Sequence, residues 1–282
     1  MSIDLALRPG RWLGEAVRYA VVGLATVVVG YPVFWMLQQS FKTKFELYAN
    51  VWGLPQQLFL DNYVQAWRIA RMGTYIFNSV VVSVATVVVV LVLASLAGYA
   101  FARMRFAGRQ VLFYAFVFTL IVPLQVTIIP LYAVVSGLGL TNTYFALILP
   151  YAAGGLPLSI FLLRAFFESV PREIEEAARI DGCSELAAFW RVVLPISGPG
   201  LATVTILQFL AAWNEFLLAL IFIRNPALRT IPLGLQAFFF EYSVEWGYLF
   251  AALSMATVPV IIVYVLMQRH FITGLTAGAV KG

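Results

Sequence analysis

The feature that most restricts this chain is a series of six apolar stretches, at 19–37, 75–101, 111–135, 144–166, 200–222 and 246–267. An α-helix rises about 1.5 Å per residue, so about 20 apolar residues match a hydrocarbon core about 30 Å thick. Inside lipid, every backbone N–H and C=O must be satisfied within the chain, which stretches of this length achieve as helices. Hydrophobic residues fill 62% of the 282 positions and charged residues 11%, against about a quarter charged in soluble domains. No soluble core hides that much apolar surface. The expected fold class is an all-α membrane protein, six transmembrane helices forming a single domain over residues 1–282.

The first stretch reads as a retained span. It is longer than the core of about 7–15 residues in a secretory signal, and Gln38-Gln39-Ser40-Phe41-Lys42 is a poor cleavage site. Pro123, Pro130, Pro150, Gly154, Gly155, Pro157 and Pro259 fall inside the apolar stretches and read as kinks in otherwise continuous helices.

Six spans place both termini on one side. Of the 18 Lys and Arg, twelve fall on that side and six on the other, and the short loop 102–110 holds Arg103, Arg105 and Arg109 with no acid. Basic residues mark the cytoplasmic face, so both termini are expected in the cytoplasm. The stretch 38–74 then lies outside and 167–199 inside. The net charge of +5 comes from these short groups at the ends of apolar runs. No basic stripe interleaved with aromatics is present, which argues against nucleic acid. The single cysteine, Cys183, excludes an internal disulfide framework, and no Cys/His cluster has metal-ligand spacing.

The inner loop reads PREIEEAARIDGCSELAAFWRVVLP over 171–195. Proline suits a first helical turn, and Glu173, Glu175 and Glu176 crowd the end where the helix dipole favours negative charge. Gly182, free to take positive φ, stops this helix. Ser184 caps a second one, whose Leu186, Phe189, Trp190 and Val193 form an apolar stripe at helical spacing. Pro195 ends it. Two short amphipathic helices meeting at a glycine make either a docking knob for a partner or a pair of helices lying on the lipid surface.

The string Glu176-Ala177-Ala178, then Gly182 four positions on, Val192, Leu194 and Pro195, resembles the EAA loop of permease subunits of type I ATP-binding-cassette importers. Valine stands where isoleucine is common. In that family the loop forms the coupling helix that fits a groove of the ATPase subunit. The resemblance implies a polar contact from Glu176, close approach at Ala177 and Ala178, a bend at Gly182, and further coupling contacts from Asp181, Leu194 and Pro195. Cys183, where the pattern has alanine, reads as a tolerated small residue. Ile180-Asp181-Gly182, Ala212-Trp213-Asn214-Glu215-Phe216, the 98–103 segment GYAFAR, Leu149-Pro150-Tyr151 and the ending 274–282 resemble the carbohydrate-uptake, maltose-type branch. In that branch the mobile C-terminal tail reaches the ATPase subunits, so within the tail 268–282 contacts from Gly278 and Lys281 are implied.

The resemblance also implies partners: a second, homologous permease completing a heterodimer, two ATP-binding subunits that carry ATP and Mg, and an extracytoplasmic solute-binding protein. The location implied is the inner membrane of a bacterial or archaeal cell. The solute implied is a sugar or oligosaccharide, with a polyol, a glycerol phosphate or another small polar solute as the alternative. Glu215 and Asn214 in the fifth stretch, with Gln125 and Gln208, are the candidates for lining the path, because a carboxylate at the bilayer centre costs about 2.5–3.5 kcal/mol on the lenient insertion scale. Trp213 offers an aromatic face for a sugar. The competing reading of Glu215 is that it sits near the outer surface and ties helices together.

Catalysis in this chain is not expected. His270, the only histidine, lies at the edge of the last span beside Arg269, and no nucleophile–base pair or phosphate-cradling loop occurs. A self-sufficient secondary transporter is the alternative from another class. Its halves would show paired repeats, and only Glu215 offers a coupling carboxylate at depth.

Overall fold

The computed structural model describes residues 9–239 and 244–279, with side chains over 14–239 and 244–268. Along the chain the helices are α1 (Pro9–Gln39), α2 (Lys44–Ala49), α3 (Asp61–Ile69), α4 (Met72–Arg103), α5 (Arg109–Phe118), α6 (Leu124–Gly137) and α7 (Phe145–Ser169). There follow α8 (Arg172–Ile180), α9 (Glu185–Ala188), a π-helical turn (Phe189–Val193), α10 (Leu194–Ile196), α11 (Gly198–Trp213), α12 (Leu217–Phe222), α13 (Ile231–Gly234) and α14 (Trp246–Ala279).

Four of these, over Gly14–Gln39, Met72–Arg103, Phe145–Ser169 and Trp246–Gln268, are single helices of membrane-crossing length and composition. They match the first, second, fourth and sixth apolar stretches. The third stretch is not one kinked helix. Arg109–Ile121 and Leu124–Gly137 meet at 107°, and the break falls at Pro123, before which Val122 takes the extended conformation (ψ 114°) that a following proline favours. The other prolines, Pro130, Pro150, Pro157 and Pro259, stay inside their helices as expected. The fifth stretch also breaks, at Asn214–Phe216 between α11 and α12, and a 75° bend separates Glu185–Ile196 from Gly198–Trp213.

The chain forms two compact units, Met1–Arg68 with Phe238–Met255, and Ile69–Ala237 with Ala256–Gly282. In the first, α1 exposes its apolar stretch, as with Val29 at 73%, a surface suited to lipid or a neighbouring subunit. The 38–62 segment is pinned by polar contacts: Lys42, fully buried, donates to the Asn50 and Val51 carbonyls at 2.6 and 3.3 Å. Burial holds that ammonium below the ordinary lysine value, with Glu46 pulling the other way. Asn62 donates to the Ser40 and Lys42 carbonyls.

The second unit is a bundle in which α4 packs most extensively on α7, and α11 on both. α4 and α7 approach closely at Gly98, where a Cβ would lie 3.2 Å from both the Arg164 nitrogen and the Leu163 Cβ. Two apolar clusters follow from this packing. One gathers Tyr99, Phe101, Leu163, Phe167, Phe189 and Val193 towards the 171–195 loop. The other gathers Val82, Leu147, Tyr151, Leu218 and Phe222 around the start of α7 and α12.

Candidate functional site

The 171–195 loop is built much as its residues dictate. α8 starts after Pro171 with Glu173 and Glu175 in its first turn. It ends in a Schellman motif: Gly182 at φ +87° donates to the Arg179 carbonyl, and Cys183 donates to that of Ala178, both at 3.0 Å. The Ser184 hydroxyl then accepts from the Ala187 N–H at 3.3 Å and caps α9. Arg179 and Glu185 pair at 3.0 Å across the bend, largely exposed, an arrangement of small energetic weight.

Glu176, Ala177 and Asp181 are exposed, whereas Ala178 is buried. Ile180, 87% exposed, stands beside them. The expected apolar stripe divides: Phe189 and Val193 are buried, while Leu186 and Trp190 face outwards. Phe189 is the centre of this end of the bundle, with ring centroids 4.7 Å from Tyr99 and 6.0 Å from Phe167. Pro195 does not end the second helix. The backbone opens into a π turn over Phe189–Val193, with the Leu194 N–H bonded to the Phe189 carbonyl, and exposed Pro195 and half-buried Leu194 continue as α10. A wider turn accommodates a residue that has no N–H of its own.

What fastens the loop to the bundle is a residue the motif does not include. Glu175, next to the motif glutamate, points inwards and pairs with Arg103 at the end of α4, Nε to Oε1 2.7 Å, both side chains under a tenth exposed. The Tyr99 hydroxyl donates to its other oxygen at 3.3 Å, and the Arg103 guanidinium donates to the Val170 carbonyl. A buried ion pair holds only where close contact and added hydrogen bonds offset desolvation; here the two charges meet closely, although Nε and Oε1 are not aligned as a hydrogen bond, and Tyr99 and the Val170 carbonyl supply the added bonds. The sequence carried a signal for it: two adjacent glutamates on a short helix must face different ways, and one then needs a cation from elsewhere.

The second candidate region is a cavity of about 690 Å³ among α4, α5, α6, α7 and α11. Of the four expected path residues it contains Glu215 and Gln208 but neither Asn214 nor Gln125. Asn214 is exposed at the helix break and donates to the Leu210 carbonyl at 2.8 Å, while Gln125 is exposed at the start of α6. Trp213 offers no face to a sugar; it is 3% exposed and stacks on Phe209 at 5.3 Å.

Glu215 takes the N-terminal turn of α12, accepting from the Leu218 and Ala219 N–H groups at 2.9 and 3.3 Å. The Tyr151 hydroxyl donates to it at 2.6 Å. Glu215 thus ties α12 to α7 and also lines the cavity. Gln208 donates to Ser159 and to the Gly155 carbonyl at 3.1 and 3.3 Å, and a side chain at Gly155 would collide with it. Thr86, overlooked in the sequence because a hydroxyl in an apolar run carries no periodic signal, lines the same cavity with its buried Oγ1 unpartnered.

The tail is helical backbone through Ala279, so Gly278 continues α14, and Lys281 lies outside the described residues.

A bundle of membrane-length helices carrying an ordered helical loop and an internal cavity defines a polytopic transport subunit. The chain belongs to the family of binding-protein-dependent transport system inner membrane components, whose profile matches residues 90–276. It is 38% identical to the sulfoquinovosyl glycerol transport system permease protein SmoH of Agrobacterium fabrum, over 95% of each chain. With the diacetylchitobiose uptake system permease protein NgcG of Streptomyces coelicolor it shares 36% identity over 94% of this chain and 89% of the relative. Its fold is similar to a chain in the crystal structure of a bacterial ABC transporter involved in the import of the acidic polysaccharide alginate. The TM-score is 0.82 at 25% identity, covering 95% of this chain and 99% of that one. The chain is thus an ABC importer permease, a membrane component rather than a catalytic one.

Proposed function

We propose that this permease forms half of the translocation path for a sugar or oligosaccharide, driven through the 171–195 loop by a separate ATPase. The observation that carries the coupling role is the buried Arg103–Glu175 pair. It joins α8 to the end of α4, so a push on the exposed face of α8 moves a membrane-length helix instead of bending a loop. Glu176, Ala177 and Asp181 on that face are the contacts a motor would meet, Ala178 and Leu194 pack inwards, and Gly182 holds the bend. ATP binding and Mg chemistry belong to two ATP-binding subunits. A homologous permease completes a heterodimer, and a solute-binding protein delivers the cargo on the side away from both termini, which lie in the cytoplasm. Gly278 and Lys281 in the tail are further candidate contacts with the motor.

The sugar assignment is supported by relatives named for sulfoquinovosyl glycerol and diacetylchitobiose transport. Within the cavity, Glu215, Gln208, Tyr151, Thr119, Thr127 and Thr86 are the polar side chains on offer, and all but Thr86 already have a hydrogen-bond partner among the described residues. The partner permease is therefore assigned most of the solute contacts.

The test is reconstitution with the partner subunits and the loaded binding protein. Replacing Glu176 by Ala or Gly182 by Val is expected to reduce solute-stimulated ATP hydrolysis at least tenfold while the assembly still forms. Unchanged stimulation in both variants would remove the loop from the coupling path. Solute uptake by this chain alone in liposomes would instead establish an autonomous transporter.

A further inference from the structure

A second charged feature lies beside the loop. A cavity of about 580 Å³ is lined by Arg103, Arg105, Arg109 and Arg172 and by no carboxylate. Arg103 is committed to Glu175, and Arg109 donates to the Met104 carbonyl at 3.1 Å. The side chains of Arg105 and Arg172 have no ion-pair or hydrogen-bond partner among the described residues. On their other side these two line a cavity with Glu175, Glu176 and Glu185, of which Glu175 and Glu185 already pair with Arg103 and Arg179. The linings of the two cavities together hold five guanidiniums and three carboxylates, an excess of two positive charges.

Membrane orientation requires basic residues near the ends of spans, but it does not require them to converge. Here Arg172 of α8 lines one cavity with Arg105, from the segment before α5, and Arg109, the first residue of α5, so the fold gathers what orientation would leave scattered. The apolar surface beside the cavity is also specific. Val111, Leu112 and Tyr114, in the first turns of α5, are 74%, 50% and 64% exposed. Guanidinium forks match phosphate oxygens in pairs, and basic pockets at the ends of transmembrane helices suit anionic headgroups.

We propose that this cavity holds the phosphate of an anionic phospholipid headgroup, bound by Arg105, Arg109 and Arg172, with acyl chains lying along Val111, Leu112 and Tyr114. The shared chemistry is a phosphate oxyanion. The exposed apolar helix beside it is what favours a lipid over the free ion. Arg172 stands on α8 one turn before Glu176, so the site adjoins the proposed motor face, and lipid retention, which is read without transport, separates the two roles.

The experiment uses the whole importer in nanodiscs of phosphatidylcholine with a minor fraction of phosphatidylglycerol, followed by mass spectrometry of the lipid retained on extraction. Wild type is expected to enrich phosphatidylglycerol. R105Q/R172Q is expected to bind it about 25-fold more weakly, from about fivefold per guanidinium, and R105K/R172K to fall between the two, since an ammonium keeps the charge but not the fork. Equal enrichment in wild type and R105Q/R172Q overturns the proposal, as does equal loss in the glutamine and lysine pairs. Displacement of the lipid by 10 mM inorganic phosphate alone reassigns the site to the free anion. Enrichment confined to the isolated subunit and lost in the assembly means that a partner protein covers these arginines, which likewise overturns the lipid assignment.

Discussion

Two carboxylates mark the two working regions of the bundle, and they are held in opposite ways. Glu175, against the end of α4, faces a full countercharge on Arg103 and has a side chain only 6% exposed. Glu215, at the break before α12, is held only by neutral donors, the Tyr151 hydroxyl and two backbone N–H groups, and it remains half-buried at the cavity wall. Hydrogen bonds orient a carboxylate without cancelling its charge. Glu175 is therefore a fastening, whereas Glu215 is both a tie between helices and part of the cavity wall.

The comparison can be broken most forcefully at Arg103. In Arg103→Met the buried Glu175 loses its partner, and a penalty of about 3–5 kcal/mol is expected, read as a lower unfolding temperature in detergent. The double variant R103M/E175L should recover most of that stability, since an apolar pair of similar volume replaces two buried charges. If the double variant is as damaged as the single one, the pair is not the fastening.

At Glu215 the effects are smaller and separate the two roles. Glu215→Ala removes the acceptor for α12 and for Tyr151, and a loss of about 2 kcal/mol is expected from the cap and the orphaned hydroxyl. Glu215→Gln keeps an acceptor, so its stability should stay within about 1 kcal/mol of wild type while uptake changes. Equal stability and uptake in Glu215→Gln and wild type would reduce Glu215 to a helix tie. The smallest effect belongs to Ser184→Ala, where loss of the α9 cap should cost about 1 kcal/mol, seen as faster hydrogen exchange over 184–188.

Much of this was legible from residue order. The apolar runs located α4 and α7 to within a few residues and covered only part of the longer α1 and α14, and Gly182, Ser184 and the acidic first turn located the loop helices, because caps and turns are set by neighbours in the chain. The breaks in the third and fifth stretches were harder to see. Pro123 differs from Pro130 or Pro150 not in chemistry but in whether the surrounding helices tolerate a continued axis. The path candidates divided for a similar reason: Gln208 and Asn214 are both polar residues in one apolar run, but only Gln208 meets α7.

What the sequence determined by itself was the membrane class, the approximate spans and the two short helices of the 171–195 loop, all of which rest on local backbone satisfaction and on periodic apolar surface. What only the tertiary structure decided was which polar groups have partners. Adjacent glutamates 175 and 176 are indistinguishable by propensity, yet one is buried against Arg103 and the other is exposed. A buried charge is tolerated only where a distant residue arrives to meet it, and that arrival is a property of packing rather than of spacing along the chain.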